Sequence, residues 1–227
     1  MSKKILVIAA HPDDEVLGCG GAINKYSKLG YSIDILFVSD GENSRLTNKK
    51  KKQNIVNKRK LMAIRSAKIL GAEKPNFLSF PDQELDSLPL LKIIKEIEKY
   101  INLKKPNIIF THTNACLNID HKIVNNAVVT ACRPKSFEFI KKIYFFEILS
   151  STEWNIKDEK LHFDPNFYVD ISSNIKNKIK ALKVYHNEIR SWPHSRSYEG
   201  VNTLAKYRGM TVGINFAEAF YLARGIE

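Results

Sequence analysis

Apolar residues along this chain come in short continuous runs separated by stretches of helical spacing. Ile5 to Ala9 is one such run and Ile33 to Val38 another, and Glu15 to Leu29 between them places apolar residues on one helix face before stopping at Gly30. The alternation continues. Ile55 to Leu70 reads as a helix closed by Gly71, Asn76 to Phe80 as a short strand, Leu90 to Leu103 as a helix and Ile108 to Phe110 as a strand. His121 to Ala131 is helical, Ile143 to Ile148 a strand, Ile171 to Glu188 a long basic helix, and Thr203 to Tyr207 a short one. Such a pattern predicts an α/β domain: a mostly parallel sheet with helices on both faces. No internal repeat or linker divides residues 1–227, so one domain is expected, with Ser191 to Ser197 as its irregular late segment.

Composition narrows the class. With 44% apolar residues, the 227-residue chain is well supplied for a buried core, which argues against disorder. Cys19, Cys116 and Cys132 are too few to staple a chain of this length and lack CxxC spacing, so they read as reduced thiols of a cytoplasmic protein. Neither a signal peptide nor an apolar run of roughly 20 residues is present, and no membrane span is expected. Thirty-six Lys and Arg against 24 Asp and Glu give a net charge of +12, which raises nucleic acid as a partner. The basic block Lys49 to Lys52, followed by Lys58, Arg59 and Lys60, has no interleaved aromatics to stack on bases, and it reads as a solvated face.

In an open parallel sheet, ligands bind beyond the carboxyl ends of the strands. The residues there are conspicuous: Ala10-His11-Pro12-Asp13-Asp14-Glu15, Ser39-Asp40-Gly41-Glu42, Pro81-Asp82, Thr111-His112 and Asn118-Ile119-Asp120-His121. His11, Asp14 and His121 form a candidate set of two histidines and one carboxylate, suited to Zn²⁺ with a fourth position open for water. Helix capping by Asp13 or Asp14 is the plainer reading, but it accounts for neither His11 nor two adjacent acids. Adjacent acids suit a division of labour, with Asp14 binding metal and Asp13 accepting a proton as general base. The glycines of Leu17 to Ala22 come too late after the strand for a phosphate-binding turn and fit close helix–sheet packing instead.

The combination of His11 to Glu15, Leu17 to Gly21 and Leu117 to His121 resembles the PIG-L/LmbE superfamily of zinc-dependent N-acetylglucosaminyl deacetylases. The likeness extends to Ser39 to Glu42, Ala131 to Pro134, Glu147 with Ser150 to Trp154, Pro193 to Ser197, Arg208-Gly209 and Ala217 to Phe220. It implies a Rossmann-like fold, a metal on His11, Asp14 and His121, Asp13 as base, and a homo-oligomer. Two positions depart from the family pattern. Asn118 stands where some branches carry a histidine serving the substrate carbonyl or leaving amine, and Cys116 stands where a carboxylate is common.

The expected activity is removal of acetyl from an N-acetylated amino sugar with one Zn²⁺ per chain, another divalent transition metal being compatible. A different amide cleaved by the same chemistry, or a non-catalytic binding protein, is the alternative. His112 faces the metal edge as either a supporting or a catalytic group, and His194 can reach a site in its own chain or a neighbour's. Arg45, Asn118 and Arg196 are candidate substrate contacts, and Arg133 a further anion contact. Trp154 and Trp192 are read as core, with sugar stacking as the alternative, and His162 and His186 as surface or core.

Overall fold

A computed structural model describes residues 3–41, 49–156 and 161–227, apart from the side chains of residues 49–52. Glu42, Arg45 and the Lys49 to Lys52 side chains therefore lie outside the described parts. The strands are β1 (Lys4–Ala9), β2 (Ser32–Ser39), β3 (Asn76–Phe80), β4 (Ile108–His112), β5 (Lys142–Phe146), β6 (Phe167–Asp170) and β7 (Ala217–Gly225). The helices are α1 (Asp14–Lys28), α2 (Lys49–Leu70), α3 (Leu90–Lys104), α4 (Ile119–Ala131), α5 (Ile175–Leu182) and α6 (Tyr198–Met210). One seven-stranded sheet runs β3-β2-β1-β4-β5-β7-β6. The first five strands are parallel, and β7 is antiparallel to both of its neighbours.

Strand β1 shows why its sequence is apolar without alternation. Ile5, Val7 and Ala9 face the core shared with α1 and α2, whereas Leu6, Ile8 and Ala10 face the core under α3 and α4. A strand covered on both faces has no polar side to show.

The glycine run of α1 is explained by close approach. A Cβ on Gly18 would collide with the Phe146 ring, and one on Gly21 would lie 2.7 Å from Ile171. Helix α1 also bends at Cys19 (φ −146°, ψ 21°). An ion pair occupies the break: Lys178 Nζ donates to the Leu17 carbonyl and to Glu218, 2.6 Å away, while Glu218 accepts the Gly21 and Ala22 N–H groups at 2.8 and 2.7 Å. Side chains thus satisfy the backbone groups that the bend frees from the helix ladder.

Three expectations need correction. The long basic helix starts later and breaks earlier, because Asp170 and Ser172 form a turn before it and the chain tightens into 3₁₀ turns at Lys183–Glu188, with Tyr185 off helical geometry. The short late helix is longer, with Ser197 capping α6 through the Gly200 N–H. Strands β6 and β7 escape the periodicity reading, the first because four residues are too few and the second because its outer half alternates with solvent.

Candidate active site

Strands β1 and β4 are neighbours at the point where the strand order reverses, and the segments leaving their carboxyl ends form the floor of a cavity of about 670 Å³. After β1 the chain turns sharply. Asp13 adopts φ 125°, a left-handed conformation costly for a side-chain-bearing residue, and its N–H donates to Glu15 Oε2 at 2.9 Å. Asp13 precedes α1 but its side chain makes no cap, so the capping reading fails for Asp13, while Asp14 Oδ2 accepts the His11 N–H at 2.9 Å. The Glu15 carboxylate is itself fixed by the Tyr185 and Ser66 hydroxyls, which donate to Oε1 at 2.7 and 3.1 Å. Burial pushes Glu15 up to about 7 even against the Tyr185 hydrogen bond.

On the β4 side, the Asn118 side chain accepts the Asp120 and His121 N–H groups and starts α4. His121 is thereby brought over Asp14. Asp14 Oδ2 lies 3.2 Å from His11 Nδ1 and 3.3 Å from His121 Nε2, and one donor atom from each of the three lies within 4.8 Å of the others. Ligands held tetrahedrally at about 2.0 Å from a zinc ion would stand about 3.3 Å apart, so the spacing suits a divalent metal. Buried His121 Nε2 has no hydrogen-bond partner among the described residues, an orphan atom that a cation would satisfy. The opposite nitrogens are held from behind. His11 Nε2 is 3.0 Å from both Asp82 and Asp120, while His121 Nδ1 is 3.2 Å from Cys116 Sγ.

Electrostatics agree with a site that seeks positive charge. Burial alone would lower the His11 and His121 pKa values, yet hydrogen bonds with Asp120, Asp14 and Asp82 hold His11 well above its usual range, and the Asp14 charge lifts His121 to about 9. Burial would raise Asp14, but the charges of His121 and His112 hold it well below the usual carboxylate range. Burial raises Asp13 to about 6 while Arg59 and Arg196 pull it down; Arg59 Nη2 and Arg196 Nη1 lie 3.5 and 3.3 Å from Asp13 Oδ2.

His11, Asp13, Asp14, Asn118, His121, His194 and Arg196 all line the one cavity, whereas His112 does not. His112 is buried behind it, accepting the Ala10 N–H at Nε2 (2.8 Å) and stacking on His121 with ring centroids 4.0 Å apart. That geometry favours its supporting role. His194 folds back to its own chain's cavity, its Nδ1 accepting the Arg196 N–H. Arg133 follows the far end of α4, about 20 Å along the helix from His121. Trp154 and Trp192 are exposed, not core, and Trp154 meets the His194 ring edge-on. His162 and His186 are at the surface.

Sequence reasoning underrated Arg59, which is buried, donates to the Pro12 carbonyl and pairs with Glu188, rather than lying on a solvated face. It also missed Gln83, Glu188 and Arg190 on the cavity wall. Asp82 and Asp120 were visible as acids after strands, the only local signal among these.

Fold and site together define a doubly wound α/β protein with a buried histidine–carboxylate cluster, at the sheet's switch point, of a kind that can hold a metal ion. Residues 6–132 match the family model described as PIG-L, GlcNAc-PI de-N-acetylase, and the chain belongs to that family. It is 26% identical to the diacetylchitobiose deacetylase of Thermococcus kodakarensis, over 99% of this chain and 84% of that protein. The solved N,N'-diacetylchitobiose deacetylase of Pyrococcus horikoshii, bound to its inhibitor MPG, superposes with a TM-score of 0.78 at 22% identity, covering 99% of this chain and 85% of that one. GalB, the 4-carboxy-2-hydroxymuconate hydratase of Pseudomonas putida KT2440, has a TM-score of 0.77 at 19% identity over 99% and 98% of the two chains. The fold is thus shared by proteins of different reaction type. Among the described residues, no helix is long and apolar enough to cross a membrane.

Proposed function

We propose that this protein is a zinc-dependent N-deacetylase that releases acetate and a free amine from an N-acetylated amino sugar. The observation that carries the reading is the convergence of His11 Nδ1, Asp14 Oδ2 and His121 Nε2 at metal-ligand spacing beside a buried carboxylate, Asp13. Family membership and the deacetylase relatives supply the reaction class and point to an acetylated amino sugar.

His11, Asp14 and His121 would hold a zinc ion, which when bound would supply Lewis acidity and lower the pKa of water towards neutral. Asp13 stands at the cavity floor, where it accepts the proton of the attacking water. Its strained backbone, fixed by Glu15 and Tyr185, keeps that carboxylate on the cavity side, and Arg59 and Arg196 hold it in the ionised form a base requires. Asp120 and Asp82 accept the His11 Nε2 proton, which leaves Nδ1 free to bind. His194, on the opposite wall of the same cavity, would protonate the departing nitrogen. The test is acetate release by zinc-reconstituted protein from N-acetylglucosamine and N,N'-diacetylchitobiose. No release from either, with stoichiometric zinc bound, would overturn the amino-sugar reading.

A further inference from the structure

We propose that Cys116 is a positioning residue for the metal centre, with its sulfur accepting the Nδ1 proton of His121 and so presenting Nε2 to the metal. The inference rests on the metal site proposed above and extends it to a residue that touches neither cavity nor substrate. Three observations carry it. The Cys116 side chain is buried, and Sγ lies 3.2 Å from His121 Nδ1, on the side of the ring opposite Asp14. Nε2 is the nitrogen without a hydrogen-bond partner, so the proton of a metal-binding His121 must sit on Nδ1. The sulfur is itself fixed. The Thr152 hydroxyl, which accepts the Ile148 N–H at 2.9 Å, donates towards Sγ at 3.9 Å, and the flanking Leu117 N–H donates to the Ser151 carbonyl at 3.0 Å.

The two metal-binding histidines are therefore supported by different chemistry. His11 leans on the carboxylates of Asp82 and Asp120, the ordinary partners of a ligating imidazole, whereas His121 leans on sulfur. A carboxylate is the stronger acceptor, which makes the substitution Cys116→Asp informative rather than merely disruptive.

The experiment measures zinc dissociation constants by competition with a chromophoric chelator for the wild type, Cys116→Val and Cys116→Asp, together with the visible spectrum of the cobalt-loaded proteins and the thermal midpoint of each metal-free protein. Cys116→Val keeps the bulk but removes the acceptor, and it should weaken zinc about 10- to 100-fold, the usual cost of losing such a partner, with a metal-free midpoint near wild type and an altered cobalt spectrum. Cys116→Asp should restore affinity to the wild-type level or better. Should the valine lower the metal-free midpoint, Cys116→Ala replaces it with the same expectation. Wild-type affinity in the variant without an acceptor, or no recovery with aspartate, overturns the role of Cys116 and leaves the deacetylase reading standing. A wild type that binds no zinc overturns both.

Discussion

The two walls of the cavity are built differently. The wall formed by the ends of β1 and β4 carries His11, Asp13, Asp14 and His121, backed by Asp120, none more than 8% exposed and each held through its backbone or side chain by hydrogen bonds. The facing wall comes from loops: Ser150 and Ser151 after β5, and Glu188 to Arg196 ahead of α6. There His194 is half-buried, Arg190 is exposed, and Trp154 and Trp192 stand out in solvent at 50 and 58%. Rigid strand ends suit chemistry that tolerates little displacement, while exposed loops can vary without disturbing it. On the function proposed above, the sheet wall would set the reaction and the loop wall the substrate.

Substitutions on each wall can break this comparison. The largest effect is expected for His121→Ala, which should remove stoichiometric zinc, measured by elemental analysis, and all deacetylation. Full zinc content in that variant would strip the sheet wall of its assigned chemistry. Asp13→Asn should keep zinc and fold but lose roughly 10²-fold or more in turnover, the scale of general-base loss. On the loop wall, His194→Ala should keep zinc and lower kcat/KM about tenfold, or about 1.4 kcal/mol of transition-state stabilisation. Because His194 lines its own chain's cavity, mixing this variant with Asp13→Asn subunits should recover no activity. Recovery on verified subunit exchange would move the loop wall to a neighbouring chain. Tyr185→Phe tests the tie between the walls, since it takes a hydroxyl from the buried Glu15 carboxylate that fixes Asp13. It should cost about 1–3 kcal/mol in denaturant unfolding, and turnover should fall while KM holds. The smallest effect is expected for Trp154→Ala: a two- to threefold rise in KM, under about 1 kcal/mol, with kcat unchanged.

The sheet wall was legible in the sequence because a strand end places its next residues at the site without further information. His11, Asp13, Asp14 and His121 needed only the α/β pattern and the types of the residues themselves. The partners that hold them did not follow, since they come from distant segments: His11 meets Asp120 across 109 positions and Glu15 meets Tyr185 across 170. Arg59 was masked by the lysines around it, because a basic run on a helix carries no sign of which member turns inward. The loop wall was the least legible. Tyr185 and Glu188 sit where helical spacing continues but the chain tightens into 3₁₀ turns, and only tertiary packing decides that break.

The carboxylate of Glu218 inserted at the bend of α1 also has a bearing on the order of events during synthesis. The amides of Gly21 and Ala22 leave the ribosome early, but the group that receives them lies 197 and 196 residues downstream. Until then the helix that begins with Asp14 has an open seam, for Lys178 arrives 40 residues ahead of the Glu218 carboxylate it pairs with. Contacts this remote in sequence form late and slowly. The nascent chain can therefore complete the segments after β1 and β4 that carry His11 and His121 well before α1 is locked, and a growing polypeptide stalled ahead of β7 would hold these histidines on an unfastened support.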